Sequence, residues 1–351
     1  MKVLMLGVYD INGYSRGRIL WKGLTANNVD VDLFLRTGRA KYFSIAKRLL
    51  KKDFDVVLVN GKLVLLTAWL LKWWHRKPVV FDVFISDYDT LVFDRKIVKE
   101  GSLKARLLWW SDKISCMLAD RNFLDTQSHI EYFVRTFKSD PAKFSIIYIG
   151  SDDDVFTFQP MPKNTGTVVY FHGTFIPLHG MDVIVRAAKL LEDDKSITFH
   201  IVGKGQTYEP TRKLADELHV TSINWEPLLG LHELPKRMAK GDISLGNFGA
   251  SEKAKMVITH KAFDTISCGR PLITVDTPAH REVFTHGKTA WLVPPNNPEA
   301  LAEAIRTLAK DRKLRETIAE NGHALFAEKY STKEIGQALK GVLEATKDLR
   351  D

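Results

Sequence analysis

The sequence predicts an α/β protein made of two doubly wound parallel-sheet domains in tandem. Three observations carry that expectation. A chain of 351 residues is too long for one ordinary domain. Short β-rich runs alternate with helix-length segments, the pattern of parallel βαβ units. That rhythm stops at a turn-rich stretch near Pro160 and then starts again. A hydrophobic content of 45% is enough for two cores, and 26% charged residues exclude disordered, collagen-like and low-complexity classes.

In the first half, Lys2–Val8 reads as a buried strand, Arg16–Asn27 as a helix, and Val29–Arg36 as a strand. Tyr42–Lys52 follows as a helix, and Asp55–Gly61 and Pro78–Phe84 as strands. Ala105–Ala119 is helical, Asn122–Thr126 a short strand, Ser128–Phe137 a helix, and Phe144–Asp152 the last extended run. Asp152–Asp154 and the segment QPMPKNTG read as a solvated linker.

The second half opens with the strand TVVYFHGTF, which enters a glycine turn, and the helix Gly180–Leu191. SITFHIVGKG is a strand with a second glycine turn, followed by the helix Thr211–His219 and the strand SINWEPL. Leu231–Lys240 (helix), DISLGNF (strand), Lys261–Ser267 (helix), RPLITVD (strand) and His280–Thr285 (short helix) come next. TAWLVP (strand) and the helices Pro298–Lys310, Leu314–Lys329 and Thr332 onward complete the chain.

The two cysteines, Cys116 and Cys268, lack metal or redox spacing, so a disulfide framework and a zinc site are not expected, and a reducing compartment fits. The opening run MKVLMLGVYD ends at Asp10, too short for a secretory h-region, which favours the cytoplasm. The apolar run Leu63–Trp74 contains Lys72 and falls short of the roughly 18–20 residues of a membrane span.

Almost all of the +9 net charge lies before residue 166, where 26 Lys and Arg face 18 Asp and Glu. Trp69, Trp73 and Trp74 stand among Lys72, His75, Arg76 and Lys77, and Trp109 and Trp110 between Arg106 and Lys113. Two readings stand: an anionic membrane surface as partner, or ordinary amphipathic helices with tryptophans in the core. No nucleic-acid motif accompanies the charge, so a nucleic-acid partner is not expected.

Ligands of doubly wound domains bind in loops after the strands, and here a cleft between the two sheets is expected. The first such loop, VYDINGYSRGR, offers Gly13 for close backbone approach, with Arg16 and Arg18 at a helix start that suits an anion. It is not GxGxxG, so a dinucleotide fingerprint is missing. In the second half, HGTFIPLHG presents His172, Gly173, Thr174 and His179, and IVGKG places Lys204 between Gly203 and Gly205, where a point charge can meet a diphosphate. The densest signal is Lys253–Phe284, in which Lys255, His260 and Lys261 precede or open a short helix and bring cations to its free N–H groups. Asp264, one turn in on the face of His260, can accept bonds from sugar or ribose hydroxyls. Asp87-Tyr88-Asp89 is a DxD triplet too short to carry a metal site alone, and no GxSxG elbow occurs.

HKAFDTISCGRPLIT, followed by Glu282 and GKTAWLVPPNNPEALAEAI, resembles the donor-binding core of family 4 glycosyltransferases, which have the two-Rossmann GT-B fold. HGTFIPLHGMDVIVRAAKLL is similar to that family's first C-domain turn and helix, FHIVGKG to its second turn, and DINGYSRGRILWKGL to its N-terminal acceptor-side loop. The resemblance implies an acceptor-side domain at residues 1–158 and a nucleotide-sugar-binding domain at 159–330. A final helix, about 331–351, is expected to pack back on the first domain.

The implied reaction is sugar transfer from a nucleotide-diphosphate donor, with retention and without a metal or other cofactor. The basic, tryptophan-bearing first half suggests an acceptor that is lipid-linked or a polysaccharide, at the cytoplasmic membrane surface. Lys261, Lys255, Asp264 and Asp82 are the implied catalytic residues. Gly13, Arg16, Gly173, Thr174, His179, Gly203, Lys204, His260 and Glu282 are the implied donor-binding residues.

The departures are specific. The family's Glu-x7-Glu pair becomes Met256 and Asp264, its diphosphate-clamping Arg and Lys become Thr174 and His179, and the place of a histidine after the fourth N-domain strand falls near Asp82. Two alternatives therefore remain: a non-catalytic nucleotide-sugar-binding or partner module of the same fold, and a sugar-nucleotide 2-epimerase.

Overall fold

The chain's apolar runs form two separate parallel sheets in a computed structural model that describes residues 1–348. Of the described residues, the first unit comprises Met1–Asp152 and those from Tyr330 to Asp348; the second is Asp153–Lys329.

In the first unit the elements run β1 (Lys2–Gly7), α1 (Ser15–Ala26), β2 (Asp30–Leu35), α2 (Lys41–Leu49), β3 (Val56–Asn60), α3 (Lys62–Leu70), α4 (Lys72–His75) and β4 (Val79–Asp82). A π-helical turn over Asp89–Asp94, α5 (Leu103–Leu118), β5 (Arg121–Leu124), α6 (Gln127–Phe137) and β6 (Phe144–Ile146) follow. All six strands are parallel, in the order β2-β1-β3-β4-β5-β6. Val3–Leu6 and Val56–Val59 are buried on both faces, as helices on each side of a parallel sheet require.

The second unit runs β7 (Thr167–His172), α7 (Met181–Leu190), β8 (Ile197–Val202), α8 (Tyr208–Glu217), β9 (Ile223–Glu226), α9 (Leu234–Met238), β10 (Ile243–Leu245) and α10 (Glu252–Met256). Then come α11 (His260–Ser267), β11 (Leu272–Val275), α12 (Pro278–Val283), β12 (Trp291–Val293), α13 (Pro298–Lys310) and α14 (Arg312–Lys329). Its parallel sheet has the order β12-β11-β10-β7-β8-β9, so the winding reverses between β7 and β10. Val169, Phe171, Phe199, Ile201, Ile243 and Ile273 form the centre of its core with α7 and α13.

The final helix, α15 (Thr332–Asp348), lies on α1. Gly23 and Gly336 meet so closely that a Cβ on Gly336 would stand 2.0 Å from the Gly23 carbonyl carbon. Asn27 adds a side-chain bond to the Lys333 carbonyl at 2.7 Å. Residues 349–351 of the expected helix lie outside the described residues.

The supposed linker is not solvated along its length. Asp152 is buried in the first unit, where it takes bonds from Arg18 Nε at 2.5 Å and Lys22 Nζ at 2.7 Å. Residues 156–160 instead belong to the second unit, because Ser267 donates to the Phe156 carbonyl at 2.5 Å and the buried Arg270 donates to the Pro160 carbonyl at 2.8 Å. The division thus falls at Asp152/Asp153, six residues before position 158.

Candidate active site

The winding of the second sheet turns over between β7 and β10, and the loops after those strands are where an open α/β sheet offers a ligand its free backbone groups. β7 ends at His172 and turns at Gly173; β8 ends at Val202 and turns at Gly203. The two turns interlock. A Cβ on Gly203 would lie 2.0 Å from the Gly173 carbonyl oxygen, and φ is +141° at Gly203 and +153° at Gly173. Only glycine fits both demands. Phe175 N–H donates to the Lys204 carbonyl at 3.2 Å and ties the turns together. Thr174 and the Lys204 side chain are exposed.

After the β7 turn, Pro177–His179 forms a single 3₁₀ turn. Backbone bonds from Phe248 N–H to the His179 carbonyl at 3.1 Å and from Gly249 N–H to Leu178 at 3.2 Å fasten it to the loop after β10. His179 is thereby delivered to the start of α11. There Lys261 Nζ lies 2.7 Å from His179 Nε2 and 5.1 Å from the centroid of the Phe171 ring. Both side chains are buried. Burial pushes the Lys261 ammonium down to about 7, with Asp264 pulling the other way. At that value the amine is only partly charged at neutral pH, and an anion placed against it would favour the charged form.

Asp264, one helical turn beyond Lys261, faces His172, with 3.8 Å between Oδ2 and Nε2. His172 stacks on Phe156 with ring centroids 6.3 Å apart. The site therefore unites His172, Gly173, His179, Gly203, Lys261 and Asp264. His260 opens α11 and Glu282 lies on α12, both half-buried.

Three expected residues sit differently. Lys255 is exposed and pairs with Glu252 at 2.5 Å, because on the short α10 it is Lys253, Ala254 and Met256 that turn inward. Arg16 is fully buried rather than open to an anion: its Nε reaches both Asp82 oxygens at 2.9 and 3.0 Å, and its guanidinium lies over Phe84 and Phe123. Asp82 is buried with it, and Asn60 adds a bond at 3.2 Å. Burial raises the Asp82 carboxyl, while Arg16 and Asn60 oppose that shift. Gly13 lies in the exposed loop before α1, its N–H bonded to the Asp10 carbonyl at 3.1 Å.

Sequence reasoning missed Asn247, two residues after β10. It is fully buried, its Oδ1 accepts from Thr259 at 3.3 Å, and its Nδ2 finds no protein acceptor among the described residues. The signal available was a polar residue inside the apolar run DISLGNF at a strand end. Asp87 of the DxD triplet is bound to Lys62 at 2.6 Å, and among the described residues no three His, Cys, Asp or Glu side chains cluster to hold a metal.

Residues 152–325, just under half of the chain and almost all of the second unit, match the family model described as glycosyl transferases group 1. Over those residues the second unit is similar to group 1 glycosyl transferases. The fold of the whole chain is GT-B. It resembles HepE of Anabaena in complex with UDP-glucose (TM-score 0.73, 14% identity, 98% of this chain and 100% of that one). It also resembles the sucrose-phosphate synthase of Thermosynechococcus elongatus (TM-score 0.76, 14% identity, 98% of each).

Among curated relatives, an uncharacterized glycosyltransferase of Methanocaldococcus jannaschii is 26% identical over 58% of this chain and 54% of its own length. The alpha-D-kanosaminyltransferase of Streptomyces kanamyceticus is 26% identical over 50% of this chain and 45% of its own. The chain spans about half the length of these two relatives. The matched residues contain every residue of the His172–Lys261 cluster, so the geometric site and the family match fall on the same unit.

Proposed function

We propose that this protein is a retaining glycosyltransferase that moves a sugar from a nucleotide-diphosphate donor to a lipid-linked or polysaccharide acceptor at the cytoplasmic face of a membrane, without a metal. The observation that carries the donor half is the Lys261–His179 pair, buried beside two interlocked glycine turns in the unit similar to group 1 glycosyl transferases. HepE, which shares the fold, was crystallised with UDP and UDP-glucose.

In this reading the diphosphate lies against Gly173 and Gly203, where no side chain intervenes. Lys261 and His179 meet the negative charge that grows as the bond from the sugar C1 to the diphosphate breaks. Charge placed where it develops in the transition state accelerates the step more than it tightens ground-state binding. Asp264 and Glu282 serve sugar or ribose hydroxyls. The acceptor hydroxyl oxygen bonds to C1 on the face the diphosphate leaves and passes its proton to the departing diphosphate oxygen, which retains configuration.

A thermal-shift series with UDP, GDP, ADP and their sugar conjugates tests donor binding, since a ligand that binds only the folded state raises its Tm. A rise with one nucleotide class is expected, and no rise with any of them overturns the proposal. A non-catalytic binding module is the second reading, favoured by the apolar, buried Met256 at the position of the first acidic residue. Slow donor hydrolysis without acceptor, unaffected by EDTA, separates the enzyme from that module.

A further inference from the structure

The first unit carries an apolar face that its own fold leaves uncovered. On α5, Leu103, Leu107, Trp110, Ile114 and Met117 follow one another at spacings of four, three, four and three residues, so they form one stripe along the helix, and all five are exposed. α3 and α4 present a second stripe, in which Leu63, Leu66, Leu70 and Trp73 are exposed, with Trp69 and Trp74 beside them. Trp73 is 73% exposed and Leu107 60%. α3 packs against both α2 and α5, so the stripes are neighbours, and α2 and the residue that follows it add exposed Phe43 and Leu50. A soluble monomer seldom leaves so many large apolar side chains contiguous without a partner.

The charge around this face is mostly basic, although Lys72 is paired with Asp120 at 2.7 Å and Lys62 with Asp87 at 2.6 Å. Residues 39–52, 56–81 and 101–119 contain a single acidic residue, Asp112, which is buried and bonded to Lys62 and Ser86. Lys52 Nζ lies 4.0 Å from the Trp74 ring centroid and Lys113 Nζ 5.2 Å from that of Trp109. Lys72 and Arg76 border a shallow groove lined by Trp69, Leu70 and Trp73. A second copy of the chain docked here through a two-fold axis would set basic rim against basic rim. An anionic bilayer supplies the opposite charge to the rim and a hydrocarbon boundary to the stripes, with tryptophan at the depth it favours.

We infer that the α3–α4–α5 face is a membrane-docking surface, which inserts Leu70, Trp73, Leu107 and Trp110 into the headgroup boundary of an anionic lipid bilayer. This deepens the membrane part of the proposed function and is independent of donor chemistry.

The full chain is floated with vesicles of phosphatidylcholine alone and with vesicles containing phosphatidylglycerol. Binding is expected only to the anionic vesicles, weakening with salt. It should fall at least about tenfold in Leu70→Ser/Trp73→Ser, with the UDP-, GDP- or ADP-induced thermal shift kept as proof of folding. Arg76→Glu/Lys113→Glu, which leaves the apolar stripes intact, gives a second route to the same loss. No binding to anionic vesicles, or binding that both double variants retain, overturns the inference. So does a dimer in light scattering that the serine variant breaks while vesicles are ignored. Donor binding without membrane binding would sink this inference alone; loss of donor binding in the wild type would sink the donor reading alone.

Discussion

The Lys261 amine and the His179 imidazole sit 2.7 Å apart, both buried, on elements 82 residues apart in sequence. Burial keeps the Lys261 amine from being fully charged near neutral pH, and a diphosphate between β7 and α11 would favour its charged form. Binding should therefore take up protons. Calorimetry of the preferred nucleotide at pH 8, in buffers of different ionisation enthalpy, is expected to show net proton uptake, and affinity should fall as pH rises above about 7, the value to which burial lowers Lys261. Lys261→Met should abolish most of the uptake, and turnover of Lys261→Ala should drop on the order of a hundredfold or more. Unchanged turnover would remove Lys261 from the chemistry.

The same lysine bears on the empty protein's stability. Its folded value, about 7, lies below the roughly 10.4 of an unfolded lysine, so between these values the unfolded chain binds more protons. This group's destabilising contribution is complete below pH 7 and disappears as pH rises towards 10. Lys261→Met should flatten that part of the stability profile, measured by urea unfolding from pH 6.5 to 9.5.

Gly203→Ala tests the interlocked turns. Its Cβ would fall 2.0 Å from a backbone oxygen that cannot swing away, at a φ of +141°. The expected cost is about 2–4 kcal/mol of unfolding free energy, with loss of the nucleotide-induced thermal shift. Gly13→Ala, whose nearest contact would be 3.7 Å, should cost little in either measurement.

Arg16 and Asp82 hold the first unit together rather than lie open to a ligand. Asp82→Asn leaves the Arg16 cation buried with a neutral partner and should cost about 3–5 kcal/mol. In soluble, folded protein at low temperature, its nucleotide-induced thermal shift should match the wild type. A shift lost without any loss of stability would return Asp82 to the binding machinery.

The alternation of strands and helices was legible because both sheets are parallel, with central strands buried on each face, so their apolar runs stand out from the helices between them. The glycine turns were legible for the same reason, since Gly173 and Gly203 follow such strands directly. Lys255 and Lys261 could not be told apart in the sequence: both lie near the α11 start, and only the phase of the five-residue α10 sends Lys255 outward to Glu252. Arg16 looked like an open anion-binder because its partner, Asp82, is 66 residues away. Asp152 read as a linker charge although Arg18 and Lys22 hold it from 134 and 130 residues away. Local pattern reveals periodicity and turns, whereas ion pairs closed by topology do not appear in it.

Asn247 is the sharpest test of where the donor lies. Its buried Nδ2 has no protein acceptor among the described residues, at the end of the strand beside β7, and its Oδ1 is linked to Thr259 just before α11. An unsatisfied buried donor costs about 1–3 kcal/mol, and an apolar side chain of similar shape relieves that cost. Asn247→Leu is therefore expected to keep or raise the Tm of the empty protein, despite losing the 3.3 Å bond from Thr259. If Nδ2 serves the donor, the same variant should bind the nucleotide sugar about tenfold or more weakly, since the ligand's acceptor is then left unpaired. Equal loss for the bare nucleotide and for the nucleotide sugar places the contact on the diphosphate, and loss confined to the conjugate places it on the sugar. Unchanged affinity for both would mean that the amide is a strained structural group and that the donor lies nearer the β8 turn.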